Sequence, residues 1–99
     1  MLIIAGTITF DPAHTETAKA AASEMMAATL QEEGCVDYVF SIDMSDEAKI
    51  RIFEIWESDE HLAAHFQTEH MKVYREKIAG IGVSGRDLSK YQVSSSEPL

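Results

Sequence analysis

The chain has 99 residues, 45% apolar and 25% charged, with 17 acidic against 8 basic side chains and a formal charge of −9. This is the size and composition of one globular domain; its acidic balance excludes a protein that grips nucleic acid or an anionic membrane by net field, and no apolar run reaches the roughly 18 residues of a membrane span. A domain this small buries only about two thirds of its unfolded surface, so a second copy is expected to help it; the single Cys35 and the absence of a charged leader before Leu2 predict a cytoplasmic protein.

In chain order, Leu2 to Phe10 is rich in β-branched and apolar residues and predicts a strand. Asp11 stands as an N-cap and Pro12 as the first residue of a helix through Glu32, a stretch with seven alanines and with Ala18, Ala22, Met25, Met26, Thr29 and Leu30 at helical spacing. Gly34 sits where a helix C-cap needs positive φ. Period two then runs from Val36 to Met44, Ser45-Asp46-Glu47 supplies a turn, and Lys49 to Trp56 completes a hairpin. Both faces of these strands carry apolar residues, which predicts a sheet covered on both sides. Ser58 caps a helix to about Phe66, Thr68 caps a second through Ile78, and Val83 to Val93 makes a last strand after three glycines. The order β-α-β-β-α-β, with a broken second helix, is the split βαβ pattern of a ferredoxin-like α+β domain with its helices on one sheet face. The expected domain is 1–93, with 94–99 a frayed tail, and the apolar outer face predicts a homodimer packed sheet to sheet.

Chemistry concentrates in Glu54 to His70. His61 and His65 lie one helical turn apart, a metal-ligand spacing that Glu57 would complete, but neither an acid between the histidines nor a nearby cysteine supports it, and no metal is expected. Helical phase, taking Leu62 and Phe66 as core-facing, half-buries His65 against the sheet and turns His61 to water, while His70 lies beyond the break. His65 is then either a core-edge histidine or a pocket base. Glu54 alternates with Ile50, Ile52 and Trp56, so it must pair with Arg51, Arg75 or Lys49, or stand as a pocket carboxylate with a raised pKa. Trp56 reads as a core or interface aromatic whose indole N–H wants a partner. Cys35, beyond a helix C-terminus, is a small buried side chain rather than a nucleophile. Pattern does not rank Tyr38, Tyr74 and Tyr91.

The runs Glu32-Glu33-Gly34-Cys35-Val36-Asp37-Tyr38, Phe53-Glu54-Ile55-Trp56-Glu57-Ser58 and His65-Phe66-Gln67-Thr68-Glu69-His70 resemble the antibiotic biosynthesis monooxygenase domain, in particular its small quinol monooxygenase-like members, across Met1 to Val93. The resemblance implies a dimeric α+β barrel with a pocket between sheet and helices. It also implies an oxidoreductase that works without cofactor, deprotonating a phenolic, quinol or polyketide-like substrate whose anion reduces dioxygen. Haem-degrading members carry an asparagine near Thr7, which disfavours haem here; polyketide oxidases carry one at the position of Ile52. On this resemblance His65 is the base and Glu54 orients it or a neighbour, while Trp56, Phe40, Tyr74 and His70 line the substrate pocket. Fold alone does not fix function, and the alternative is a dimeric metabolite-binding protein or isomerase.

Overall fold

The computed structural model describes all residues, Met1–Leu99. Its elements are β1 (Leu2–Thr9), a 3-10 turn (Pro12–His14), α1 (Thr15–Thr29), β2 (Cys35–Asp43), β3 (Asp46–Trp56), α2 (Asp59–His65), α3 (Glu69–Ile78) and β4 (Gly85–Gln92). The strands form one antiparallel four-stranded sheet in the order β2-β3-β1-β4, the expected ferredoxin-like arrangement. Residues 93–99 carry no helix or strand.

Local chemistry explains the boundaries. Asp11 caps as expected, its carboxylate accepting the N–H of Ala13 at 2.9 Å, yet Pro12 opens a 3-10 turn and the α-helix begins only at Thr15. At the other end α1 stops at Thr29, so Gly34, at φ 82°, closes a following turn rather than the helix itself. The hairpin is tighter than expected: the Asp43 carboxylate accepts the N–H of Ser45 at 2.8 Å and its hydroxyl at 2.7 Å, and β3 already begins at Asp46. Met44 thereby leaves the Tyr38 face and is fully exposed.

On the helix-covered face, Leu2, Tyr38, Trp56, Met25, Leu62 and Met71 form one core group, and Ile8, Phe10, Ile50, Ile52 and Ile81 form a second. Ala18, Ala21 and Ala22 are the buried small residues of α1, and they let the helix lie close to the sheet. Fully burying side chains such as Met25 and Leu62 is worth roughly 2 kcal/mol each. The other face presents Ala5 and Val39 beside Phe53, and Ile3 between Ile55 and Tyr91; Phe53, Val39 and Tyr91 are exposed.

Gly6 stands in β1 between β3 and β4 at φ 150°, and a Cβ there would lie 1.9 Å from the backbone oxygen of Asp87. Relief requires the strands to part, because the obstacle is backbone. Gly6→Ala is expected to cost about 3 kcal/mol or more, read as a lower denaturant midpoint; an unchanged midpoint would refute this account of the β1–β4 contact.

Candidate active site

The break between α2 and α3 builds the site. Thr68 caps α3 by accepting the N–H of Met71 at 3.2 Å, while its hydroxyl donates to the carbonyl oxygen of His65 at 2.8 Å. Phe66 therefore ends α2 as its C-cap and is 44% exposed, contrary to its expected core position. The buried stripe passes through Leu62 and His65 instead, and His65 is 1% exposed rather than half buried.

The partner of His65 comes from far away in sequence. Glu32, in the turn after α1, places its Oε2 2.7 Å from His65 Nδ1 and 2.7 Å from His70 Nε2. A carboxylate only accepts, so both of these ring nitrogens carry hydrogen. His65 Nε2 is then free to accept, and the hydroxyl of Tyr38 donates to it across 3.3 Å. Burial pushes the His65 pKa down, against the opposing pull of Glu32, while Arg75 and His70 push it lower. The neutral imidazole is thus the resting form, with its tautomer set by Glu32.

Glu54 sits on β3 between Ile4 of β1 and Tyr38 of β2 and is 7% exposed. None of the basic residues expected to pair with it does so: Arg51 binds Asp43 at 2.7 Å, and the indole N–H of Trp56 donates to Glu54 Oε1 at 2.9 Å. Burial raises its pKa from 4.5 to about 7, only partly offset by the indole bond and reinforced by the Glu32 charge.

A cavity of about 430 Å³ opens between the sheet and α2–α3, within the usual range for small-molecule sites. Its wall includes Phe40, Ile52 and Tyr74 with the polar groups of Glu54, His65 and Tyr38. Burial raises the hydroxyls of Tyr38 and Tyr74, the latter to about 12, so both remain donors near neutral pH. Trp56, expected in the wall, is instead fully enclosed, its ring centroid 4.9 Å from that of His65. His70 also lies outside the wall and acts on His65 through Glu32. Tyr91 belongs to the opposite sheet face.

The potential metal donors differ from the expected pair. His61 is half buried, with Nδ1 2.7 Å from the Ser58 hydroxyl and its ring against Gly34, where a Cβ would lie 2.1 Å from its Cγ. The atoms brought together are those of Glu32, His65 and His70, all within 4.8 Å of one another. Each imidazole there already has the same carboxylate oxygen as its acceptor. Cys35 is half buried, and burial raises its thiol to about 11, which suits a structural role. Glu32 escaped the sequence reading because no local periodicity links it to a histidine 33 residues away.

Residues 1–77 match the sequence model of the antibiotic biosynthesis monooxygenase family. The quinol monooxygenase candidate YgiN of Escherichia coli is 37% identical over 67 residues, 59% of this chain and 64% of that protein, so the chain spans less than two thirds of this relative. An uncharacterised Synechocystis protein is 24% identical over 99% of this chain and 67% of its own. In fold, a structure from Deinococcus radiodurans described as a candidate antibiotic biosynthesis monooxygenase superposes with a TM-score of 0.90 at 21% identity, covering 100% of this chain and 98% of that one.

Two outcomes test the electrostatics. Because the folded pKa of Glu54 is raised, its contribution to stability is full below about pH 4.5 and falls by about 3 kcal/mol as pH climbs to about 7. Glu54→Gln keeps an acceptor for Trp56, so its unfolding free energy relative to the natural chain should rise across that window and level above it; a flat difference would refute the buried carboxyl. Glu32→Gln removes the upward pull on His65, so its imidazole titration, followed by NMR, should move further below 6.5.

Proposed function

The chain belongs to the antibiotic biosynthesis monooxygenase family, and from that membership we propose that it is a cofactor-independent monooxygenase oxidising a small phenolic, quinol or polyketide-like aromatic substrate with dioxygen. The observation that carries this reading is a neutral, buried imidazole with a carboxylate on one nitrogen, set in the wall of an otherwise apolar cavity. His65 Nε2 takes the hydroxyl proton of the substrate, displacing the Tyr38 hydroxyl that rests on it. The Glu32 carboxylate stabilises the imidazolium so formed, as an oriented base requires.

Removing the proton raises the electron density of the ring, and the low-dielectric wall leaves the anion poorly solvated, which strengthens it as a reductant. A ring C–H becomes C–O: one atom of dioxygen enters the product, the other leaves as water with the two protons released, and the ring supplies all four electrons. Glu54, with a pKa of about 7, is placed in the same wall to give or accept a proton during that exchange. Phe40 and Tyr74 flank the ring, their own centroids 5.9 Å apart in an edge-on arrangement.

The second part of the proposal is a homodimer through the bare sheet face of Phe53, Val39, Ile55 and Tyr91, which buries apolar surface that one chain leaves in water.

Oxygen-electrode assays with a naphthohydroquinone should show uptake above autoxidation. His65→Ala should lower kcat/KM by about a hundredfold or more while the far-UV CD spectrum is retained. The natural chain should lose rate as pH falls below 6.5, where His65 becomes protonated. Ligand binding without oxygen uptake would make the protein a binding module instead. Phe53→Glu should shift sedimentation from twice the chain mass toward one; a natural chain already monomeric at micromolar concentration would refute the dimer.

A further inference from the structure

The cavity mouth runs against the charge of the rest of the chain. Of 8 basic residues, three line the cavity: Arg75 on α3, and Arg86 and Lys90 on β4. Register puts Arg86 opposite Ile8 and Lys90 opposite Ile4, two other wall residues, so both strand positions point to the helix-covered side. Lys90 is engaged by Asp59 at 2.8 Å. Arg75 makes only a long contact, 3.5 Å, to the carbonyl oxygen of Phe66, and neither Arg75 nor Arg86 has a carboxylate in salt-bridge range.

In a chain with 17 acids and 8 bases, two guanidinium groups left without a carboxylate beside one cavity are not explained by neutralisation. Their charge is felt inside it: Arg86 opposes the burial that raises the Tyr74 hydroxyl, and Arg75 disfavours protonation of His65. The one acid in the wall, Glu54, is tied to Trp56. The cavity is therefore apolar between a proton-handling end at His65 and a cationic rim.

We propose that the substrate is an aromatic carboxylate: its carboxylate is held at the rim by Arg75 and Arg86, and its hydroxylated ring lies along Phe40 and Tyr74 toward His65. The planar donor fork of arginine matches a carboxylate in paired hydrogen bonds, which a lysine ammonium does not. The inference rests on the phenol-oxidising reading of the same pocket and adds the substituent that selects among phenols.

The test compares 3-hydroxy-2-naphthoate with 2-naphthol by calorimetric titration at two salt concentrations. The natural chain should bind the naphthoate about tenfold or more tightly than the naphthol, with the advantage shrinking as salt rises. Arg75→Gln and Arg86→Gln should each reduce that advantage several-fold while leaving naphthol affinity within about twofold, and Lys72→Gln, an exposed change elsewhere on α3, should leave it intact. Equal affinity for the two ligands, or a preference that survives the double substitution, overturns the proposal while the oxidase reading stands. A carboxylate preference with no oxygen uptake from any hydroxylated ligand upholds it and overturns the oxidase reading. Failure to bind either ligand overturns both.

Discussion

One carboxylate oxygen, Glu32 Oε2, receives two imidazole N–H groups, and the placement of the helical layer over the cavity depends on that shared bond. It joins the turn after α1 to the end of α2 and the start of α3. With seven residues, α2 is too short to persist by its own helix propensity. Three tertiary supports position it: the Ser58 cap, the His61 ring seated against Gly34, and the His65 ring anchored on Glu32. Because Glu32 takes the Nδ1 hydrogen, the same bond that holds the helix also decides which nitrogen of His65 faces the cavity.

The cavity brings together groups that burial drives toward neutrality. His65 is held unprotonated, Tyr38 and Tyr74 stay hydroxylated, and Glu54 is half ionised near pH 7. In such a site the cost of charge is met only when a substrate gives up or receives a proton, so the site favours proton transfer over storage of a fixed ion. The guanidinium groups at the rim remain in water, where their charge is cheap to maintain and still reaches inward.

The two faces of the sheet divide the remaining labour. Helix-side positions of β3 run Ala48, Ile50, Ile52, Glu54 and Trp56, all buried, with a carboxyl inserted into an apolar column. The alternate positions bring Arg51, Phe53 and Ile55 to the opposite side, where Phe53 meets Ala5 and Val39. Because strand side chains alternate strictly, a one-residue slip would exchange the catalytic column for the outer face. The tight Asp43–Ser45 turn guards that register.

Order of elements, ferredoxin-like topology and the caps at Asp11, Ser58 and Thr68 follow from the sequence alone, because each rests on local periodicity or on a side chain bonding within three residues. The same holds for the burial of Glu54 and the inward turn of His65, which strand alternation and helix phase determine in kind, though not in degree. What only the tertiary structure decided are the meetings across long separations: Glu32 with His65 and His70, the indole of Trp56 with Glu54 where a cation was expected, and the arginines of α3 and β4 around one cavity. Trp56 and His70 left the substrate wall for the same reason: a residue's face is set by its own element, but its partner is set by how the elements pack.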